Sequence, residues 1–442
     1  MSAGGPPVDA PPTTPRAEAV TPLLRQHNFK ALWSGQLISI LGERLTYIGL
    51  VGLLAEHTHH FADPGSPLLL SLLANVMLAP VLLFAPFTGA WLDRWNLRRV
   101  LIISDLLRAV LVALIPILYP ISHAAAPVYA LVFALFTCNV FFLPAKSAIT
   151  PEIVPASQLR AANALLAVAG VAATSIGAPL GGWVVDHWGW QSALTINAVT
   201  YLVSVVSLWW IVYRPHEPAG AAPAMSWSGY LREVGEGWRV VRSSPAVGLA
   251  LTALAAVWVA GGFLHVAGNL HIQRAASVPG MERVGVLLLV LGAGSGLSTW
   301  WVNSAGRAFP RPLLLGGGLL VAGLGITIFA ISTRFAVFCG AAFLIGIAAA
   351  PAFVLAETLL QEWTEPRQRG RVFSARDFLM RLVFLVGVTL AGYLTTWAGT
   401  RFALLVAAGL TGAAGMASIW WGRRTPILAK VALPPGGAGP PA

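Results

Sequence analysis

The chain has 442 residues; 57% are hydrophobic, only 10% are charged, and the mean hydropathy is +0.74. Soluble domains carry about 25% charged residues, so this composition excludes a soluble enzyme or binding domain and describes an all-α polytopic membrane protein. The net charge of +11 would point to nucleic acid in a soluble chain, but its placement in the loops says otherwise.

Residues 1–26, rich in proline and small side chains, read as a disordered cytoplasmic tail without the apolar stretch of a signal peptide. A helix needs about 20 apolar residues to cross a bilayer. Twelve such runs follow, near 28–55, 67–92, 98–121, 126–149, 159–184, 190–213, 245–271, 283–304, 312–332, 335–361, 371–397 and 401–422. They group as a six-helix half over 27–213, a cytoplasmic linker over 214–244, a second, pseudo-symmetric six-helix half over 245–424, and a cytoplasmic tail over 425–442. With both termini inside, most loop arginines fall on the cytoplasmic side, among them Arg94, Arg98, Arg99, Arg160, Arg311, Arg376 and Arg423. The outer loops keep only Arg274, Arg283, Arg334 and Arg401. This positive-inside asymmetry accounts for the basic charge and makes the lipid bilayer, not nucleic acid, the expected partner. In the linker, Trp227, Tyr230, Leu231, Val234, Trp238 and Val241 recur at helical spacing with arginines between them, the pattern of an amphipathic helix on a membrane surface.

The halves echo one another. An offset of 210 residues brings Glu152 onto Glu362 and Gly182 onto Gly392. Parallel six-span repeats around a midplane site are a transporter architecture. Cys138 and Cys339 lie inside apolar runs and imply neither a disulfide framework nor a metal site. "EHTHH" at 56–60 has irregular spacing for zinc, so no metal or cofactor is expected. No phosphate-binding GxxxxGK[ST] and no HExxH occurs, which argues against ATP drive and against an intramembrane enzyme.

"GAWLDRWNLRR" after the second span resembles the signature loop of the major facilitator superfamily, with Gly89, Asp93, Arg94, Arg98 and Arg99 in place. Asn96 and Leu97 stand where a glycine is usual. The resemblance implies that this loop locks the cytoplasmic side against the start of span eleven. "SIGAPLGGW" in span five is similar to the superfamily's antiporter motif, keeping Gly177, Pro179, Gly181 and Gly182 with the proline one place late. "HNFKALWSGQLISILGERL", "LRAANAL" and "RGRVFSARD" resemble the bacterial enterobactin-exporter and macrolide-efflux branch. The resemblance implies a monomer of the bacterial inner membrane, a secondary active transporter that exports amphiphilic small molecules (drug, macrolide or siderophore-like) by alternating access, with protons as the coupling ion. Drug/proton antiporters of the superfamily often carry an arginine early in span four; this chain has none there.

Glu43 and Arg44 stand mid-span. On a helical wheel Gln36, Ser39, Thr46 and Tyr47 fall within about 60° of Glu43, while Arg44 sits on the shoulder. Asn139, Lys146 and Thr150 share a face of span four; Trp258, His265 and Asn269 share one of span seven; Glu357 and Gln361 share one of span ten. The resemblance implies that spans one, four, seven and ten line the central cavity. The expected substrate-cavity residues are therefore Gln36, Ser39, Glu43, Arg44, Tyr47, Asn139, Trp258, His265 and Asn269. An intramembrane carboxylate costs about 3 kcal/mol when charged, and protonation removes that cost. Glu43, His265 and Glu357 are the candidate proton carriers. Asp105 with Arg108 at i,i+3, and Asp377 with Arg381 at i,i+4, read as self-contained structural pairs. Lys146 and Glu357 are expected to meet as a cytoplasmic gate when that side closes. Alternatives are an uptake transporter, a lipid-moving protein and a non-transporting sensor of the same fold.

Overall fold

Backbone polar groups inside a bilayer must be satisfied within the chain, and helices do this segment by segment. The computed structural model describes residues 20–59, 61–92, 95–213, 227–243, 245–275, 280–304, 309–364 and 369–424, and no strand occurs among them. The helices are α1 (Val20–Arg25), α2 (His27–His57), α3 (Ser66–Leu92), α4 (Leu97–Ser122), α5 (Ala125–Ile153) and α6 (Leu159–Trp209). They continue as α7 (Trp227–Ser243), α8 (Pro245–Phe263), α9 (Asn269–Ala275), α10 (Met281–Ser304), α11 (Arg311–Ile331), α12 (Phe335–Glu362) and α13 (Arg369–Arg424). A π-helical segment, Leu264–Gly268, joins α8 to α9. Among the described residues, ten helical segments are long and apolar enough to cross a membrane.

Two of these helices, α6 with 51 residues and α13 with 56, are about twice as long as a bilayer is thick. Each is broken at one glycine: Gly189 at φ 81°, ψ 162° and Gly399 at φ 85°, ψ 167°. This region of backbone space is essentially reserved for glycine. The packing shows that the chain reverses at Gly189. The first arm of α6 runs parallel to α2, with Trp33 donating to the Leu165 carbonyl and Gly177 and Gly181 against Arg44 and Leu45. The second arm runs antiparallel, with Gly49, Gly42 and Gly35 of α2 seated on Ala193, Asn197 with Thr200, and Ser207. Small residues at seven-residue spacing let the two backbones approach. In α13 the second arm lies antiparallel to α11, where Gly316 meets Gly415 and Gly323 meets Ala408. The two breaks are 210 residues apart, the same offset that aligns Gly182 with Gly392.

The end of the bundle where α2 begins is termed proximal, and the opposite end distal. The tail was expected to be disordered through residue 26, but residues 20–25 are helical because Leu23 is buried against Phe29, Val154 and Ala162. Residues 1–19 and 425–442 lie outside the described residues. The linker carries the expected helix, α7. Trp227 meets Phe87 of α3 at 5.6 Å and Tyr230 meets Phe378 of α13 at 5.9 Å. The helix thus touches both groups, α2–α6 and α8–α13. At the proximal end Tyr213 is held beside Glu152; burial pushes its phenol up to about 12, with the Glu152 hydrogen bond and charge adding to the rise.

Candidate functional site

Charge inside a bundle must be paired, and the pairing here spans four helices. Asp105 and Arg108 of α4 are 0% and 1% exposed. One Arg108 nitrogen bonds Asp105; the other donates to Glu43 Oε1 of α2 at 2.8 Å and to Asn139 Oδ1 of α5 at 3.3 Å. The guanidinium lies 4.0 Å from the Phe142 ring centroid and 4.5 Å from that of Tyr201 of α6, where aromatic faces favour a cation. Glu43 itself is 28% exposed. It shares a space of about 40 Å³ with Thr46, Tyr47, Arg108, Asn139 and Tyr201, room enough for water.

This corrects two sequence expectations. Asp105–Arg108 is a real i,i+3 pair, but it is not self-contained, because Arg108 reaches across to Glu43. Glu43 accordingly has a base within bonding distance, and that base is not its neighbour Arg44, whose Nε is buried without a hydrogen-bond partner among the described residues. Asp105, Arg108 and Tyr201 were missed as site residues. Their signal was an acid and a base in the middle of an apolar span.

A second chamber, of about 260 Å³, lies against the first. Leu264, Ile272, Leu287, Leu291, Phe329 and Ile345 make most of its wall, and Tyr47, His265 and Asn269 supply its polar end. Tyr47 lines both chambers. Its hydroxyl is 3.4 Å from His265 Nδ1, a long polar contact, and the rings are 5.3 Å apart. Asn269 is 4% exposed and its Oδ1 has no hydrogen-bond partner among the described residues. The π segment carries His265; such segments recur at functional sites. Trp258, two turns nearer the proximal end, packs on the same Phe384 ring as His265, at 5.7 Å against 5.9 Å, but it does not line this chamber. Trp258 instead lines a proximal cavity of about 300 Å³ with Glu357, Arg376, Asp377 and Arg381. Gln36 and Ser39, expected in the cavity, are 3% and 1% exposed and line neither chamber.

In the proximal cavity Arg376 bonds both Glu357 and Asp377. Asp377 therefore pairs with its neighbour and not with Arg381, since adjacent side chains at a helix mouth can converge through the long arginine stem. Glu357 is held by Arg376 and not by Lys146. Lys146 is half-buried, within electrostatic range of Glu43 and Arg108.

Of the signature loop, Asp93 and Arg94 lie outside the described residues, and Gly89 is in the last turns of α3. Asn96 caps α4 by accepting from the Arg99 N–H at 3.1 Å, which accounts for the departure from glycine. Arg98 donates to the Leu208 and Trp209 carbonyls at the end of α6, favourable for a cation at a helix C-terminus. In the second motif, Gly177 and Gly181 seat α2, whereas Gly182 faces the backbone of Met281 and Glu282 on α10, and Pro179 faces Gly285. In "EHTHH", Glu56 accepts from Trp190 Nε1 at 2.8 Å and His57 bonds the Tyr119 hydroxyl at 3.1 Å; His60 lies outside the described residues.

Polar contacts between the two helix groups include Tyr47–His265, Asn75–Thr389, Asp186 to Met281 and Glu282, and Arg274 to Phe61. Asp186 to Met281 and Glu282, and Arg274 to Phe61, join the two groups at the distal end, which is therefore closed.

Residues 32–320 and 266–440 match the family model of the Major Facilitator Superfamily. The chain is 26% identical over 397 residues to YfiS of Bacillus subtilis (strain 168), an uncharacterized MFS-type transporter, covering 87% of this chain and 91% of that one. It is 21% identical over 379 residues to macrolide efflux protein A of Streptococcus pyogenes, covering 82% and 88%. Its fold matches a crystal structure of a bacterial homolog of the human lysosomal transporter Spinster, in an inward-facing and occupied conformation, with a TM-score of 0.70 at 13% identity and coverage of 92% and 98%. At that identity the likeness is one of fold alone.

Proposed function

We propose that this chain, which belongs to the Major Facilitator Superfamily, exports amphiphilic small molecules in exchange for protons by alternating access. The observation that carries this reading is the shared wall: Tyr47 separates an apolar chamber with one polar end from a cluster in which two carboxylates bond one guanidinium. The apolar chamber suits a ligand with an apolar body and a single hydrogen-bonding end. The orphan acceptor on Asn269 is a ready partner for a donor on that ligand, since buried polar atoms are normally satisfied.

The Glu43 chamber suits a proton. With Glu43, Asp105 and Arg108 all ionised the bonded group carries a formal charge of −1; one proton makes it neutral. Asp105 is sealed in, so Glu43, the accessible member, is the carrier. Arg108 supplies from span three the guanidinium that span four lacks, reaching Asn139 of that span. When Glu43 is protonated its pull on Arg108 weakens, and the change is felt at Tyr47, which lines the ligand chamber. The relative named macrolide efflux protein A supports the direction of export.

The broken helices α6 and α13 support twelve crossings in two six-helix halves, 27–213 and 245–424, that rock about the midplane. The proximal end, rich in arginine, is the cytoplasmic side of a bacterial inner membrane, and the protein works as a monomer. Lys146 and Glu357 belong to its proximal gate, apart in this distally closed form.

The test is efflux from cells preloaded with a panel of fluorescent dyes, macrolides and catecholate siderophores, with and without an uncoupler. Expulsion of at least one amphiphile that the uncoupler stops is the expected result. Accumulation driven by the chain, or movement of labelled lipid only, would transfer the reading to uptake or lipid transport.

A further inference from the structure

The first N–H groups of a helix have no partner inside it, and a cap usually comes from the residue just before the first turn. The cap on α10 comes from elsewhere. Asp186, near the end of the first arm of α6, accepts the Met281 N–H at 2.7 Å on one oxygen and the Glu282 N–H at 2.8 Å on the other. The two partners are 95 and 96 residues away in sequence and belong to the other helix group. A carboxylate is favoured there by the positive end of the helix dipole.

The seam beneath is built for close approach. A Cβ at Gly182, one turn before Asp186, would overlap the backbone of Met281 and Glu282; one at Gly285 would overlap Ala178 and Pro179. Beside the bond lies a distal crevice of about 710 Å³ lined by Glu56, Asp186, Trp190, Gln273 and Arg283. Asp186 is itself exposed. Water is therefore at hand to take over both hydrogen bonds when they break, so their net worth is modest and their release is easy. A contact that must be made and broken in every cycle needs this balance. A second bond follows the same plan: Arg274 of α9 donates to the Phe61 carbonyl at 3.0 and 3.3 Å. In both, a charged side chain of one group holds backbone of the other.

We propose that Asp186 is a positioning residue of the transport cycle: it holds the distal seam shut by capping α10 across it, and gives up both N–H groups each time the seam opens. This goes beyond the antiporter-like motif, whose glycines allow the approach but supply no bond. The proposal rests on alternating access and is independent of the substrate and of Glu43.

The test is a distance measured by paired spin labels across the distal face. Ser122, at the end of α4, and Thr333, between α11 and α12, are exposed; each would be changed to cysteine on a background with Cys138→Ser and Cys339→Ser, in lipid nanodiscs without substrate. Asp186→Ala is expected to raise the ratio of long to short distances about fivefold, equivalent to about 1 kcal/mol. Asp186→Asn falls between, because its amide oxygen accepts one N–H but carries no charge. Glu282→Pro deletes one donor at a first-turn position where proline is tolerated, and its ring carbon, set where the N–H met the carboxylate, also displaces the Asp186 side chain. It should move the ratio the same way and add little to Asp186→Ala, as expected of changes to one shared contact. Distance distributions unchanged in both Asp186→Ala and Glu282→Pro would overturn the proposal. So would full additivity, or a mere broadening of the short distance without a new long one, which would mark fraying of α10. Because no substrate is used, failure of the export reading leaves this result standing.

Discussion

Glu43 of α2 and Arg108 of α4 are joined at 2.8 Å in the middle of the bundle, and the guanidinium that joins them also holds Asp105. The three groups differ in exposure: Asp105 and Arg108 are sealed, Glu43 is not. The sealed pair fixes the electrostatics, and the accessible carboxylate trades with water. This division of labour yields separate expectations for each residue.

Arg108→Ala leaves Asp105 buried without its counter-charge. Breaking a buried pair from one side costs about 3–5 kcal/mol, so the variant should unfold well below wild type in detergent thermal melts. The triple variant Asp105→Ala, Arg108→Met and Glu43→Gln should recover much of the loss, because replacing every charged member of a buried group is close to neutral. Wild-type stability in Arg108→Ala would show that the pairing bears little weight.

Gly399→Ala isolates backbone strain, since a Cβ there meets nothing within 4 Å. With φ 85° and ψ 167° the cost is about 1–3 kcal/mol. Gly399→Asn should be no better: asparagine tolerates the left-handed helical region, but not this one. Gly189→Ala should cost at least as much, because the added methyl also meets Gln191 Oε1 at 2.8 Å. Thermal melts of the three variants decide this.

Gly177→Val should hamper assembly of α2 on α6. Its Cβ would lie 2.9 Å from Arg44 Cβ and 3.2 Å from the Leu41 carbonyl, and overpacking of this kind costs about 1–3 kcal/mol. Gly170→Val on the same arm is the control, since only Ile40 Cδ1 comes within 4.0 Å there. Equal yields of folded protein from the two would contradict the packing described for α2.

Asn269→Leu should separate stability from binding. Removing an orphan buried acceptor should leave the melting temperature unchanged or raised. Equilibrium binding of polar-ended amphiphiles should weaken about fivefold, the worth of one hydrogen bond. Tyr47→Phe should weaken the same ligands by a similar factor. Undiminished binding in both would remove the polar end of the chamber from ligand recognition.

Much of this was legible in the sequence because it depends on periodicity. Span length marked the apolar helices, and the aromatic and arginine spacing marked α7; the breaks at Gly189 and Gly399 were not singled out, although they stand at the same 210-residue offset as Gly182 and Gly392. The wheel around Glu43 correctly joined it to Thr46 and Tyr47 in one chamber. A wheel shows which way a residue faces but not what lies opposite, so the reach of Arg108 from α4 to α2 was out of sight. Nor does it show depth: Trp258 and His265 pack on one Phe384 ring, yet Trp258 lies at the proximal cavity and His265 at the apolar chamber. Gln36 and Ser39 failed for a third reason: polar residues on a helix can face a tightly packed neighbour as well as a cavity.

The central claim is that Glu43 carries the coupled proton. It is tested most directly in proteoliposomes by comparing uphill, proton-driven transport with downhill exchange of the same amphiphile, in wild type and Glu43→Gln. The account predicts that Glu43→Gln abolishes uphill movement while exchange continues, because the neutral amide keeps the chamber and mimics the protonated state but cannot cycle. Uphill transport that persists in Glu43→Gln at the wild-type rate would contradict it.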